Sequence, residues 1–371
     1  MQKALKFNPN NQTDFVNTLK SRVDSYFTET GKDRFGNREL TVKTIFILAL
    51  YFVPWMLIIF NVFDTLLPIL GLWLLMGSGM AGGGLNIMHD ANHGAFSRNH
   101  RTNHYMGLIS NFFGVSHINW KIQHNVLHHT FTNIEGHDDS LHGGKIFRFS
   151  PHQKVLPWHR YQHLYAWPFY TLQTIVWAIS TDFVRLKKYR DMGLLKPYKK
   201  SYDKLKQELI LWKIGYFSLF LIIPMVFSAL PWWQTLLCFI TMQLAVGFFL
   251  TLVFITAHIM PECQYPLPDS SGTIENAWAV HQLQTSCNFA TGSRWFSWYL
   301  GGLNYQAEHH LFPNICHVHY PAISKILKET ATEFKLPYYH IKTFGGAIKT
   351  HAGMMKHLGN PSSISPSLVS L

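Results

Sequence analysis

Long apolar stretches alternate with basic, polar ones along the chain, and this alternation predicts helices that cross a lipid bilayer. There is no lysine or arginine between Lys43 and Arg98, and none between Lys213 and Arg294. About 20 helical residues cross a hydrocarbon core of ~30 Å, so each of these two apolar blocks is long enough for two crossings. Each block therefore predicts a pair of spanning helices.

A turn divides each block into two helices. The first block turns at Asp64 and the second at Pro231. The predicted spans are residues 44–63, 66–88, 214–230 and 232–257. At a rise of ~1.5 Å per residue, the second helix of each pair is longer than the bilayer core and is expected to project from it. The projecting ends carry His89 and His258.

The distribution of charge predicts the orientation of these helices. All 32 lysines and arginines lie outside the two apolar blocks. Cytoplasmic loops of membrane proteins are enriched in these residues, so the three basic regions and both termini are expected to be cytoplasmic. The net charge of +12 would suit nucleic acid, but no zinc-finger, RRM or basic-helix pattern accompanies it. We interpret the charge as attraction to anionic membrane lipid and to an acidic redox partner, and topology alone is an equally good alternative.

Four further features of the sequence complete the predicted organisation of the chain. Residues 105–118 are too few to span, and residues 162–180 carry Trp, Tyr and Gln throughout, so both are predicted to lie at the membrane interface. The Ser- and Pro-rich residues 360–371 are predicted to be disordered. The four cysteines show no CxxC spacing, which gives no indication of a zinc ribbon or an iron–sulfur cluster. No cleaved signal peptide is expected at the N-terminus.

Many of the 22 histidines fall into three groups, here called boxes. Box 1 is His89-Asp90-Ala91-Asn92-His93, box 2 is His124-Asn125-Val126-Leu127-His128-His129, and box 3 is Gln306-Ala307-Glu308-His309-His310. Helical residues three or four apart share a face, so His89 with His93, His124 with His128, and Gln306 with His309 and His310 can each converge on one ion. The predicted topology places all three boxes on the cytoplasmic side. Isolated histidines are more often structural, and we assign that role to His104, His117, His152, His159 and His163.

The number of histidines indicates the kind of metal site. A structural zinc needs only four ligands, whereas at least seven histidines are present, which is enough for two ions. Imidazole suits iron as well as zinc, copper and nickel. Two irons that react with O2 can oxidise an unactivated methylene, which no side chain can do. The sequence indicates no catalytic residue beyond the metal ligands. Hydrogen bonds from Asp90, Asp138, Asp139 or Asn304 could orient the ligand rings, and a solvated surface position is the alternative for each acid.

The boxes, together with the run Gly301-Gly302-Leu303-Asn304-Tyr305-Gln306-Ala307-Glu308-His309-His310-Leu311-Phe312-Pro313, resemble those of membrane fatty acid desaturases. The glutamine that opens box 3 resembles the front-end subgroup. The resemblance implies an all-α integral membrane fold with four transmembrane helices in two hairpins, interfacial helices and a cytosolic helical cap that holds a dimetal site. In a single desaturase domain of residues 1–371, the segments would be 1–43 (cytosolic), 44–88 (first hairpin), 89–213 (cap with boxes 1 and 2), 214–257 (second hairpin), 258–359 (cap with box 3) and the tail 360–371.

The resemblance also implies the ligands and the reaction. Seven ligands follow by motif position: His89, His93, His124, His128, His129, His309 and His310. A further family ligand after the last span matches His258, and Gln306 stands where relatives carry a histidine, so it would bind directly or through water. His281 has no assigned counterpart, and we favour a structural role for it.

The implied reaction is the insertion of a cis double bond into a fatty acyl chain, in the biosynthesis of unsaturated lipids. It consumes O2 and two electrons and releases water. The acyl chain would be carried by CoA, a phospholipid or a carrier protein. Because the chain has no group that stores electrons, an external donor such as a ferredoxin or a small cytochrome is expected.

Two alternatives stay open at this stage. A lipid hydroxylase of the same superfamily can begin from the same hydrogen abstraction, although the glutamine box favours a desaturase. The other alternative is a non-enzymatic membrane metal carrier or sensor whose histidines only bind ions. A transporter would place ionisable ligands near mid-membrane. The predicted span 44–63 contains no acidic, basic or histidine residue.

Overall fold

The computed structural model describes residues 5–141 and 143–360, which are mostly helical. The predicted disordered tail lies, apart from Asn360, outside the described residues. The chain divides into two compact units, each built from separate stretches of sequence. We call them the spanning unit (Asn37–Ile122 and Trp167–Thr251) and the box unit (Met1–Gly36, Gln123–Ala166 and Leu252–Leu371).

Among the described residues, four helices are long and apolar enough to cross a membrane. They are Arg38–Ile59, Leu66–His93, Tyr202–Phe227 and Trp232–His258. This confirms the predicted number of spans, but the bounds differ. The first and third helices begin well before the apolar residues, because Asn37 and Ser201 cap their N-termini by accepting hydrogen bonds from the backbone N–H groups of Leu40 (3.1 Å) and Lys204 (3.2 Å).

Small residues allow the second span to pack closely against the first span and against the fourth. A Cβ atom on Gly79 would lie 2.5 Å from the backbone nitrogen of Tyr51, and one on Gly77 would lie 2.9 Å from the Met242 side chain. The glycine-rich end of the second span therefore serves helix packing at these positions. The core of the spanning unit is built around large side chains that include Trp73 and Phe220.

A buried carboxylate joins a few of the shorter helical segments of the spanning unit to the third span. Asp182 accepts hydrogen bonds from the backbone N–H of Ser116 (2.9 Å) and the side-chain amide of Asn119 (3.0 Å), and it pairs with Lys213 Nζ of the third span at 2.6 Å. The shorter helices of the spanning unit are His100–Phe112, His117–Lys121, Gln173–Val176, the π-helix Trp177–Thr181, Asp182–Asp191 and the 3-10 turn Lys196–Tyr198. The helix Gln162–Thr171 has residues in both units. The third span continues from Tyr202–Phe217 through the π-helix Ser218–Ile222 into Ile223–Phe227. The two segments predicted to lie at the interface are largely helical and are not among the candidate spans.

The box unit combines helices with two parallel strand pairs. Strand Lys6–Phe7 pairs with Thr273–Ile274, and Cys287–Phe289 pairs with Tyr339–Ile341. Its core forms where Thr13–Thr30 packs against Tyr320–Glu333. An exposed ion pair of 2.6 Å between Arg22 and Glu333 joins the same two helices at the surface. The other helices are Ile122–His128 (π), His129–Phe131, Asp139–Leu141, Pro157–Tyr161, Trp278–Gln284, Arg294–Tyr299, Gln306–Leu311, His317–His319 and Phe344–Gly359.

Candidate metal centre

Box 2 is carried by a π-helix rather than an α-helix. The π-helix covers Ile122–His128 and its backbone hydrogen bonds join residues five apart. Consequently His124 faces His129, with their Nε2 atoms 3.2 Å apart and their ring centroids 4.7 Å apart, whereas the centroids of His124 and His128 are 5.5 Å apart. The expected α-helical pairing of His124 with His128 is therefore replaced, and the two neighbours His128 and His129 turn to different groups of histidines.

Box 3 lies on the short buried helix Gln306–Leu311. Side chains from other parts of the chain form hydrogen bonds with this helix. Glu308 is fully buried and accepts hydrogen bonds from Asn288 Nδ2 and from Tyr338 Oη, both at 2.8 Å. The side-chain carbonyl oxygen of Asn288 in turn accepts the backbone N–H of Ala307 at 2.9 Å. Burial raises the pKa of the Glu308 carboxyl, and the hydrogen bonds oppose that effect. The helix that presents His309 and His310 is thus fixed by contacts outside its own backbone.

The first group of converging histidines in the box unit consists of His128, His258 and His310. Their ring centroids are 4.7 Å (His128–His258), 4.9 Å (His128–His310) and 4.8 Å (His258–His310) apart. All three side chains are buried, with at most 1 % exposed. Three chain segments thus bring three imidazoles to one point.

In each ring of this group, Nδ1 lies within hydrogen-bond distance of an oxygen acceptor. His128 Nδ1 lies 3.0 Å from Asp138 Oδ2, His258 Nδ1 lies 3.0 Å from the Thr285 carbonyl, and His310 Nδ1 lies 2.8 Å from Gln282 Oε1. These oxygens accept hydrogen bonds, so each Nδ1 carries the proton and each Nε2 presents a lone pair. Within the described parts of the chain, the buried Nε2 atom of His128 has no hydrogen-bond partner. This is the arrangement found behind histidine ligands of metal ions.

The second group in the box unit consists of His124, His129 and His309. Their Nε2 atoms are 2.9 Å (His129–His309), 3.2 Å (His124–His129) and 3.4 Å (His124–His309) apart. Two nitrogens that each lie ~2.1 Å from one ion are separated by about 3.0 Å at a right angle and about 3.4 Å at the tetrahedral angle. The observed separations span this range, so the residues fit a shared metal ion.

Box 1 belongs to the spanning unit, at the end of the second span. It follows the π-helix Gly83–Met88 and forms the last turn, His89–His93. The rings of His89 and His93 are 4.8 Å apart and share a face, as their spacing predicts. Both pack on Trp120, at 5.5 and 5.8 Å between ring centroids, and the Asp90 carboxylate lies 3.8 Å from His89 Nδ1.

A sequence model of the fatty acid desaturase family matches residues 64–342, a range that includes all three boxes and His258. The chain belongs to the fatty acid desaturase family. It is therefore an enzyme, a fatty acyl desaturase, and its apolar helices make it a membrane protein.

Curated relatives extend over nearly the whole chain of this desaturase. It is 34% identical to the sn-1 linoleoyl-lipid 6-desaturase of Synechocystis sp., over 94% of this chain and 96% of the relative. It is 32% identical to the acyl-lipid (8-3)-desaturase of Mortierella alpina, over 94% of this chain and 78% of the relative. It is 31% identical to the acyl-lipid (8-3)-desaturase of Physcomitrium patens, over 93% and 72% respectively.

Three other predicted site residues, Gln306, Asn304 and Asp139, lie in or near box 3 or box 2. The Gln306 amide donates to the Leu303 carbonyl at 2.7 Å, and the Asn304 amide donates to Ser297 Oγ at 2.9 Å. Asp139 is buried at the start of the turn Asp139–Leu141. Roles for Gln306 as a ligand and for Asn304 and Asp139 as ring-orienting groups stay predictions.

Histidines outside the boxes make contacts that suit structural roles. His281 is fully buried with its ring 5.1 Å from the Phe7 ring, and burial lowers its pKa to about 4. It belongs to none of the closely spaced groups of metal-type side chains found in the described residues. His152 Nε2 lies 2.6 Å from the Tyr265 carbonyl and His159 Nε2 lies 3.0 Å from the Lys145 carbonyl.

Gln282 and Thr285, which accept hydrogen bonds from histidine ring nitrogens, were not predicted from the sequence. Gln282 holds His310 and also donates to the His129 carbonyl at 3.1 Å, so it joins box 2 to box 3. The only available signal was its place next to His281 in the sequence. Thr285 acts through its backbone carbonyl, for which a side-chain pattern carries no signal.

Proposed function

We propose that this desaturase holds two iron ions with the histidines of its boxes and with His258. The two groups of converging Nε2 atoms in the box unit support this, and imidazole is a ligand that suits iron. The proposed ligands are His89, His93, His124, His128, His129, His258, His309 and His310, with Gln306 as a direct or water-bridged ligand.

Two irons bound there and reduced from outside would supply the O2-dependent oxidation of an unactivated methylene. The protein's own contribution is to orient the ligands and exclude water. Asp138, Gln282 and the Thr285 carbonyl keep the proton on Nδ1 of their partner rings, so that the Nε2 lone pairs face inward. Asp138 is itself buried, which keeps the His128 contact out of competition with water. A ferredoxin or a small cytochrome is the proposed external electron donor.

The proposed topology is multi-pass, with two hairpins of spanning helices and a cytosolic cap. Boxes and termini would all lie on the cytoplasmic side. The support comes from the four candidate spans and from the absence of lysine and arginine within both apolar blocks of the sequence.

For the substrate, we propose a fatty acyl chain esterified in a membrane lipid. The new cis double bond would lie between an existing double bond and the carboxyl end. The names of the relatives support both points, since they include an sn-1 linoleoyl-lipid 6-desaturase and acyl-lipid (8-3)-desaturases. The glutamine that opens box 3 supports the same subgroup. Position 6 of a lipid-linked linoleoyl chain is the first choice to test.

The test is the fatty-acid profile of cells that express the intact chain and are fed linoleic acid. Gas chromatography and mass spectrometry would locate each double bond, and a short labelling pulse would show whether it first appears in glycerolipid or in acyl-CoA. His128→Ala is the inactive variant, and His100→Ala, which removes an exposed histidine outside the boxes, is the matched control.

We expect a new bond at position 6, first in glycerolipid, with the intact chain and His100→Ala only. A bond elsewhere would overturn the proposed position, and early label in acyl-CoA would overturn the lipid-linked substrate. An active His128→Ala enzyme would show that the proposed ligand set is wrong.

A further inference from the structure

A strongly basic segment of the spanning unit begins within the helix Asp182–Asp191 and ends in the first turns of the third span. Residues 185–206 contain nine lysines and arginines and two acids, Asp191 and Asp203. Asp191 is paired with the neighbouring Arg190 at 2.8 Å. The segment thus carries an excess of seven positive charges next to a helix that is apolar enough to cross a membrane.

An apolar surface groove lies beside this segment, between the helix Asp182–Asp191 and the third span. Its volume is about 420 Å³, within the range of about 300–1,000 Å³ that is common for small-ligand sites. Phe183 lines one side, and Ile210, Ile214, Phe217 and Ile222 line the other. The three isoleucines are 38%, 58% and 49% exposed, in chain order. The groove therefore offers uncovered apolar surface along the span.

The groove has a basic end and an apolar end. The two helices that bound it run antiparallel, since Asp182 contacts Lys213 at 2.6 Å near one end and the Arg190 guanidinium lies 4.5 Å from the centre of the Tyr202 ring at the other.

Two lysines stand at the basic end. Lys187 lies one turn beyond Phe183 on one helix, and Lys206 lies one turn before Ile210 on the other, so each shares a face with a groove residue. Both lysines are exposed.

The third lysine of the groove has a different role. Lys213 Nζ is engaged by Asp182, by the Gly114 carbonyl at 2.6 Å and by the Trp177 carbonyl at 3.2 Å. Its charge is compensated inside the protein, so Lys213 is not available to bind an anionic ligand. Lys187 and Lys206, in contrast, are exposed and can meet a ligand at the rim of the groove.

We propose that this groove binds an anionic phospholipid of the surrounding bilayer. The phosphate would lie between Lys187 and Lys206, and one acyl chain would follow Ile210, Ile214 and Ile222 along the span. Basic residues next to a spanning helix attract anionic lipid by about 1 kcal/mol each. The apolar walls favour a lipid over an acidic protein, because they continue into the part of the span that an extrinsic protein does not reach.

The experiment uses the purified full-length enzyme in mild detergent. Native mass spectrometry would follow titrations with phosphatidylglycerol and with phosphatidylcholine of the same acyl chains. We expect tighter binding of phosphatidylglycerol. The double variant Lys187→Gln/Lys206→Gln should lower that affinity about fivefold per lysine, or ~30-fold in total, and should lose the headgroup preference. Lys328→Gln/Lys349→Gln, which removes the same charge from exposed positions of the box unit, should bind like the wild type.

A second variant tests the acyl-chain part of the groove. Ser218 also lines the groove and is exposed. Ser218→Phe should fill the space and weaken both lipids while keeping the preference for phosphatidylglycerol. Glycerol phosphate, a headgroup without chains, should fail to displace the lipid at equal concentration.

Several results would overturn the proposal. Equal affinity for the two lipids would remove the role of the lysines, as would a double variant that binds like its control. Displacement by glycerol phosphate would identify a simple anion site. If the lysine substitutions slow turnover with an acidic electron donor but leave lipid binding intact, the surface docks a protein instead.

Discussion

Asp138 shows how a single residue fixes the orientation of a histidine ring. Its Oδ2 meets His128 Nδ1 at 3.0 Å and also accepts the Asn133 backbone N–H at 3.1 Å, while Oδ1 accepts the Ser140 N–H at 2.8 Å. Both oxygens are therefore fixed by backbone donors, and the carboxylate cannot turn without losing them. The orientation of the His128 ring follows from this local turn.

Replacing the carboxylate tests this role. Asp138→Asn keeps the size of the side chain but puts an amide where the ring nitrogen needs an acceptor, so we expect iron affinity to fall by about 10–100-fold. The measurement is iron retained per protein against a graded series of chelator concentrations. Asp203→Asn, at an exposed position, is the control and should retain iron like the wild type. Unchanged retention in Asp138→Asn would mean that Asp138 is a structural residue alone.

At the scale of elements, close packing of the first two spans depends on Gly79. A Cβ atom added to this residue would lie 2.5 Å from the Tyr51 backbone nitrogen, and backbone cannot move aside as a flexible side chain can. We expect Gly79→Ala to force the helices apart, at a cost of about 1–3 kcal/mol. The melting temperature in detergent, followed by tryptophan fluorescence, would fall.

The same helix provides the control for that substitution. Gly71 has no atom within 4 Å of its added Cβ. Gly71→Ala should leave the melting temperature unchanged or raise it slightly, because alanine favours a helix by up to ~1 kcal/mol over glycine. Equal melting temperatures for the two variants would contradict a packing role for Gly79.

The spans and boxes could be predicted because their signals are local. Uninterrupted apolar residues indicate a span, and histidines four apart indicate a shared helix face, as His89 and His93 show. The helix starts were missed because caps such as Ser201 lie in polar sequence that looks like a loop. The π-helix of box 2 was missed because its hydrogen-bond register differs from that of an α-helix with no change in residue type.

At the proposed metal centre, the long-range hydrogen-bond partners of the histidines could not be predicted from the sequence. Gln282 reaches His310 and the His129 carbonyl from a helix far away in the sequence. Thr285 meets His258 through a backbone oxygen. Such contacts depend on tertiary packing, and residue type alone predicts only that a ring nitrogen will find some acceptor.

At the scale of the whole molecule, the proposed metal centre links remote parts of the chain. His128, His258 and His310 come from three segments that are far apart in sequence, yet their ring centroids lie less than 5 Å from each other. An ion bound by all three joins these segments only in the folded state. A ligand that binds only the folded protein raises the free energy of unfolding, by about 4 kcal/mol when its concentration is about 1,000 times its Kd.

Removal of the metal should therefore lower the melting temperature of the intact protein by several degrees, and ferrous iron added under anaerobic conditions should restore it. His128→Ala should have the melting temperature of the metal-free protein, and added iron should raise it little, because one of the three converging rings is missing. His100→Ala should respond like the wild type. A melting temperature that does not depend on iron in the wild type would show that the histidine groups are held by the protein alone. The ion would then contribute to the chemistry without joining the segments.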